Sequence, residues 1–234
     1  MKKIIVGIVA KHREVDVLRP DLVIRDELKD AIFHNGGIAI AILPPCKEIT
    51  LVTAENEEEI SNNIENVLSE EEKENLKAQI ALCDGVILAG GSKSDAYEIW
   101  IAKYCNEKDI PLLAICAGQN NMVRAMGGTT KAVENPQLHC QYRKETVHNV
   151  IGQPTSRLGK LVGDKPLKVN SRHKRTVEKL GGLQVAGYDE DGNIEMVEDR
   201  NKKYFASVRF HPESLYLQDQ THNKIFEDFI DCCR

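Results

Sequence analysis

Four short apolar runs, KIIVGIVA, IAIAILPP, GVILAG and PLLAICA, punctuate the first half of the chain. They are rich in Ile, Val and Leu, lack polar alternation, and end in Gly, Pro or Ala. A strand with one wet face would alternate, so these runs suit parallel strands buried on both faces. Helical patterns separate them. Residues 20–34 place Leu22, Val23, Leu28 and Ile32 near helical spacing, and Gly36-Gly37 ends the segment. Residues 56–82 set Ile60, Ile64, Val67 and Leu68 on an acidic helical stretch, and residues 94–107 form a third helix. Repeated strand–helix–strand units leave few topologies, and an α/β fold with a doubly wound, mostly parallel central sheet is expected.

The second half is less regular. Residues 131–165 hold Asn135-Pro136, Gly152, Pro154, Gly159 and Gly163, which reads as irregular structure with one or two short strands. A strand over 166–169, a helix over 172–180 and a hairpin in QVAGYDEDGNIEMVE follow, the last turning at Asp191-Gly192. YFASVRF reads as a further strand that runs directly into His211-Pro212-Glu213. Residues 219–233 form a closing helix with Ile225, Phe226, Phe229 and Ile230 on its apolar face. No repeat or linker divides the chain, so one domain over residues 1–234 is expected.

Bulk properties narrow the function. The 234 residues carry a formal net charge of -5, which gives no electrostatic footprint for nucleic acid or an anionic membrane. The opening apolar run, Ile4 to Ala10, meets Lys11, His12 and Arg13 at once, so it reads as a buried strand rather than a signal sequence. Nothing approaches the ~20 apolar residues that cross a bilayer, and a cytoplasmic location is expected. The seven cysteines, 46, 83, 105, 116, 140, 232 and 233, show no paired framework. No C-x-x-C pair occurs, so a structural zinc site is not expected, and no metal or other cofactor is assigned.

One cysteine differs in its setting. In PLLAICAGQNNM, Cys116 falls between a strand and the helix after it. A side chain there projects over the carboxyl edge of the sheet, where open α/β folds bind ligands. Small neighbours, Ala114, Ala117 and Gly118, suit a crowded turn. The helix N-terminus favours thiolate, and its free amides can serve an oxyanion. By itself the pattern also fits an ordinary core cysteine. A nucleophilic thiolate needs a base with an orienting group. His139, His148 and His222 lie in polar sequence and are expected at the surface. His211 ends an apolar strand, and Glu213 sits two residues on, where an extended segment turns both side chains the same way. Gly90-Gly91 ends a third strand and can offer free N–H groups. All three features are expected at the same edge of one sheet.

DGVILAGG, PLLAICAG with MGGTT behind it, KVNSRH, DGNIE and VRFHPE together resemble the class I glutamine amidotransferase-like hydrolases. The similarity is closest to the gamma-glutamyl-gamma-aminobutyrate hydrolase-like branch, the C26 peptidases, and runs in order from about residue 22 to 215. It implies a flavodoxin-like fold with a nucleophile elbow and a Cys116–His211–Glu213 triad that cleaves a gamma-glutamyl amide through a thioester. It implies oxyanion donors at Gly91 and Ala117 beside Gly90, and substrate contacts at Gln119, Asn120, Asn170, Ser171 and His173. Self-association as a homodimer and a small-molecule gamma-glutamyl substrate are implied too, with a glutaminase subunit serving a separate synthase as the alternative. Departures from the family pattern fall on Ala114, Ala117, Asn120, Arg209 and a shortened Gly-Gly loop without a Pro.

Overall fold

The computed structural model describes residues 3–13, 21–45, 50–91, 93–142 and 146–234. In chain order the elements begin with β1 (Ile4–Val9), β2 (Lys11–Arg13), β3 (Asp21–Val23), α1 (Asp26–His34) and β4 (Gly37–Ile42). Next come α2 (Glu57–Asn62), α3 (Ile64–Val67), α4 (Glu70–Ile80), β5 (Gly85–Leu88), α5 (Ala96–Glu107), β6 (Leu112–Ile115) and α6 (Ala117–Ala125). The remainder is β7 (Thr129–Ala132), α7 (Pro136–His139), β8 (His148–Gly152), α8 (Arg157–Val162), β9 (Leu167–Val169), β10 (Arg175–Lys179), β11 (Gln184–Asp189), β12 (Ile194–Glu198), β13 (Phe205–Val208), a 3-10 turn (Pro212–Ser214) and α9 (Gln220–Cys232).

Nine strands form the central sheet in the order β4-β1-β5-β6-β13-β12-β11-β8-β9. The first five run parallel, and the last four continue the sheet as antiparallel neighbours. The apolar runs fall in the parallel half. Leu113 and Ile115 of β6 face one core with α1, α8 and α9, while Leu112 and Ala114 face a second core with α3, α4 and α5. Burial on both faces explains the unbroken apolar sequence, since each fully buried Leu or Ile contributes about 1.5–3 kcal/mol.

Sheet order sets up the site. β5, β6 and β13 are adjacent, with Leu88 opposite Ala114 and Ile115 opposite Val208. Their carboxyl ends therefore bring Gly90-Gly91, Cys116 and His211 to one edge.

Some expectations need correction. Residues 172–180 do not form a helix: β10 pairs antiparallel with β7, Thr176 beside Lys131 and Val177 beside Thr130. The β-branched pair Thr176-Val177 is buried in that ribbon, and tertiary pairing outweighs the local pattern. The helix expected over 20–34 starts only at Asp26, after β3, and the acidic stretch 56–82 breaks into α2, α3 and α4. Two short helices, α7 and α8, occupy the region read as irregular. The six described cysteines are free, and Cys46 lies outside the described residues. Cys233 is buried in the core against Gly85.

Candidate active site

Cys116 occupies the turn between β6 and α6 with φ 53 and ψ -105, a left-handed backbone that L side chains seldom adopt. Its N–H donates to the Val208 carbonyl at 2.9 Å, which ties the turn to β13. A Cβ at Gly118 would lie 2.2 Å from the Leu88 carbonyl oxygen, so only glycine lets α6 start this close to β5. A Cβ at Gly90 would lie 2.7 Å from His211 Cε1 and 3.3 Å from Cys116 Cβ. The Gly90 backbone thus packs directly on the two side chains expected to react. Ala117 is the first residue of α6, so its N–H has no acceptor within the helix.

His211 Nδ1 stands 2.6 Å from Glu213 Oε1, and both residues are buried. Pro212 opens the 3-10 turn that folds Glu213 back beneath the imidazole. Burial opposes the charged form of His211, but the Glu213 carboxylate and the Cys116 sulfur outweigh it and push its pKa up to about 10. Burial likewise pushes the Cys116 thiol up. His211, through charge and a hydrogen bond, and then Arg209 overcome that and leave the thiol below its ordinary value. Burial also pushes Glu213 up, yet the imidazolium beside it holds the carboxyl down. A buried thiolate–imidazolium pair with a carboxylate behind it is an arrangement suited to covalent acyl transfer.

Other expected contacts are placed differently. Asn170 spends its side-chain amide on the His211 backbone: its Oδ1 accepts from His211 N–H at 2.7 Å, and its Nδ2 donates to the His211 carbonyl at 2.8 Å. It therefore positions His211 and does not face a ligand. Ser171 is also turned inward, with Oγ 3.2 Å from His139 Nδ1. Gln119 is fully buried and donates to the Glu195 carbonyl at 3.2 Å, away from the cleft. Asn120 does line the cleft, and its Oδ1 accepts from Arg209 Nη1 at 2.6 Å. His173 lines the cleft as well, while its Nε2 is 3.3 Å from Glu195 Oε1.

The cleft over Cys116 measures about 400 Å³. Lys93, Arg124, Arg172, Lys174, Arg175 and Arg209 line it, and no Asp or Glu does so among the described residues. Sequence reasoning missed this cationic wall because its members come from four separate segments. Arg209 is the most deeply placed: Nη1 donates to the Cys116 carbonyl at 3.2 Å as well as to Asn120, while Nε and Nη2 have no hydrogen-bond partner among the described residues. The one signal in the sequence was its position two residues before His211.

Three histidines expected at the surface belong elsewhere. His139 and His222 are buried and His148 is half-buried. His222 Nε2 donates to the Lys168 carbonyl at 3.1 Å, which docks α9 against β9. His139, His148, His173 and Glu195 bring potential metal-ligating atoms within 4.8 Å of one another. Burial lowers the pKa of His139 and His173, which favours the neutral imidazole in both.

Comparison with known proteins bears on the family and the fold. Residues 92–213 match the profile of the Peptidase C26 family. The glutamine amidotransferase-like protein YvdE of Lactococcus lactis is 26% identical over 194 residues, 70% of this chain and 80% of that protein. A CTP synthase of Chlamydia trachomatis is 30% identical over 191 residues, 68% of this chain but 35% of that protein. The chain thus matches about a third of the length of that synthase. The glutaminase domain of Trypanosoma brucei CTPS with bound acivicin superposes with a TM-score of 0.65 at 14% identity, covering 99% of this chain and 94% of that one, which speaks to the fold.

Proposed function

Because the chain belongs to the Peptidase C26 family, we propose that it is a cysteine hydrolase of small gamma-glutamyl amides, with Cys116 as nucleophile, His211 as acid and base, and Glu213 as the group that orients His211. Family membership and the CTP synthase relatives support a hydrolase of C–N amide bonds or a glutamine-hydrolysing role. One observation carries the finer reading: Cys116 sits on a left-handed elbow where the Gly90 backbone packs against both Cys116 Cβ and His211 Cε1, and His211 is itself 2.6 Å from Glu213.

The chemistry follows from these positions. The Cys116 thiolate adds to the gamma-carbonyl carbon, and the carbonyl electrons move onto oxygen. N–H groups of Gly91 and Ala117 would stabilise that oxyanion. Collapse breaks the C–N bond, and the imidazolium of His211 gives its proton to the departing amine. This leaves a gamma-glutamyl thioester on Cys116. A water then attacks, His211 takes its proton, and a second collapse frees glutamate and restores the thiolate. Glu213 keeps Nδ1 protonated so that Nε2 faces the sulfur, and it supports each imidazolium state.

The cationic wall favours an anionic substrate. Glu57 already pairs with Arg124 at 2.7 Å and stands 3.6 Å from Arg175, so Arg209 is the cation best placed to meet the alpha-carboxylate of a gamma-glutamyl group. A second reading, a glutaminase that feeds ammonia to a synthase on another chain, is favoured by the CTP synthase relatives. Assays of the isolated chain separate the two. The hydrolase releases amine from acidic gamma-glutamyl amides faster than ammonia from glutamine. Turnover of glutamine alone, and only with an added partner, would reject it.

A further inference from the structure

We propose that His139, His148, His173 and Glu195 form a four-coordinate site for a divalent first-row transition ion of the zinc type, beside the Cys116 cleft. The four side chains come from the end of α7, the start of β8, the segment between β9 and β10, and the start of β12. Their ligand atoms lie within 4.8 Å of one another, and His173 Nε2 is 3.3 Å from Glu195 Oε1. A tetrahedral ion with bonds of about 2.0–2.1 Å holds its ligand atoms about 3.3 Å apart, so the cluster needs only small ring movements to close on one.

Two further observations point to an ion. First, His148 Nε2, His173 Nε2 and both Glu195 oxygens are buried without a hydrogen-bond partner among the described residues. Orphaned polar atoms converging on one point are costly unless something binds them. Second, each imidazole is oriented through its other nitrogen. His139 Nδ1 is 3.2 Å from Ser171 Oγ, His173 Nδ1 is 3.1 Å from the Arg175 carbonyl, and His148 Nδ1 is 3.4 Å from the Asn149 carbonyl. The two carbonyls can only accept, so His173 and His148 carry the proton on Nδ1 and turn Nε2 inward, as metal-ligating histidines require, and the Ser171 hydroxyl is able to accept from His139 Nδ1 in the same way. His139 Nε2 has weaker neighbours, Asn193 Nδ2 at 3.5 Å and Asp189 Oδ2 at 3.7 Å.

The donor set decides the class of ion. Three imidazoles and one carboxylate suit zinc and its neighbours and are poor for magnesium or calcium. Four protein ligands make a closed site, which is structural rather than a source of activated water. A pocket of about 270 Å³, lined by His139, His148, Asp189, Glu190 and Asp191, offers an acidic entry path from solvent. An ion here would tie α7, β8 and β12 to the 170–175 segment, which carries Asn170 and the cleft residue His173. The ligands are spread from residue 139 to 195 with no C-x-x-C, which is why sequence spacing hid them.

The test uses the full chain as Cys116→Ala, so that the cleft thiol cannot bind the ion, stripped with EDTA and then given Zn²⁺ or Co²⁺. The expected result is one ion per chain by elemental analysis, a higher Tm with Zn²⁺ but not with Mg²⁺ or Ca²⁺, and visible cobalt bands of a four-coordinate site without thiolate charge transfer. His148→Ala, at the half-buried rim, should keep the circular dichroism spectrum and weaken Zn²⁺ binding at least ~10-fold. His139→Ala serves as the second variant. No stoichiometric ion in the parent, retention of one tightly held ion in folded His148→Ala or His139→Ala, or a cobalt–thiolate band would overturn the proposal.

Discussion

Asn170 grips the backbone of His211 from both sides, accepting from its N–H at 2.7 Å and donating to its carbonyl at 2.8 Å. The residue that holds the imidazole in place thus lies 41 positions away in sequence. Asn170→Ala would leave the buried His211 N–H unpaired, at a cost of about 1–3 kcal/mol, while the His211 carbonyl keeps the bond from the Ser214 N–H at 3.2 Å. We expect a lower Tm and a fall in kcat of roughly 10- to 100-fold, because small misplacements of reacting groups are costly. KM should change little and Asn170→Asp should recover part of kcat. A change in KM alone would show that Asn170 binds substrate instead.

Thiol reactivity should single out Cys116. Its pKa lies below the ordinary value, whereas burial raises Cys83 to about 11 and Cys233 to about 12. The sign follows: a lowered thiol stays ionised as pH falls toward neutrality, while raised thiols are protonated there. Iodoacetamide at pH 7 should therefore label Cys116 first, and the rate should drop once pH falls below the Cys116 pKa. In His211→Asn burial acts with only Arg209 against it, so labelling at pH 7 should fall sharply. Equal labelling of Cys116 and Cys83 would contradict the activated thiolate.

Gly90→Ala probes the packing of the loop on the site. The added methyl would meet His211 Cε1 at 2.7 Å, and the ring has little room because Glu213 and Asn170 hold it. Activity should fall at least ~100-fold through misplacement, with only a modest loss of Tm. Full activity would mean that the loop moves freely.

Arg209→Gln tests what the cationic wall recognises. Arg209 donates to the Cys116 carbonyl and to Asn120, and its charge helps to lower the thiol pKa. Loss of that charge should raise KM for acidic gamma-glutamyl amides about 10-fold, change KM for neutral ones less, and slow alkylation of Cys116. An equal effect on acidic and neutral substrates would argue that Arg209 only supports the elbow.

Much of the fold was legible because parallel strands buried on both faces leave continuous apolar runs that end where the chain turns. Residues 85–88, 112–115 and 205–208 carried that signal, so the edge shared by Gly90, Cys116 and His211 could be anticipated. The roles of neighbouring polar residues could not. Gln119 and Asn120 are adjacent, yet helix rotation buries one against the Glu195 carbonyl and turns the other into the cleft. Asn170 and Ser171 matched a family segment but point to His211 and His139. The 172–180 segment went to a strand because β7 supplied a partner from 45 residues earlier. His139 looked superficial because its neighbours in sequence are polar, while its neighbours in space are Ser171, His148 and His173.

The central claim is that Cys116 carries the glutamyl group during turnover. Rapid quenching of the wild-type chain with an acidic gamma-glutamyl amide, followed by mass analysis of peptides at low pH, tests it directly. The account predicts one glutamyl adduct, confined to the peptide that contains Cys116 and absent with Cys116→Ala, which should be inactive. Turnover without an adduct on that peptide, or undiminished hydrolysis by Cys116→Ala, would contradict it.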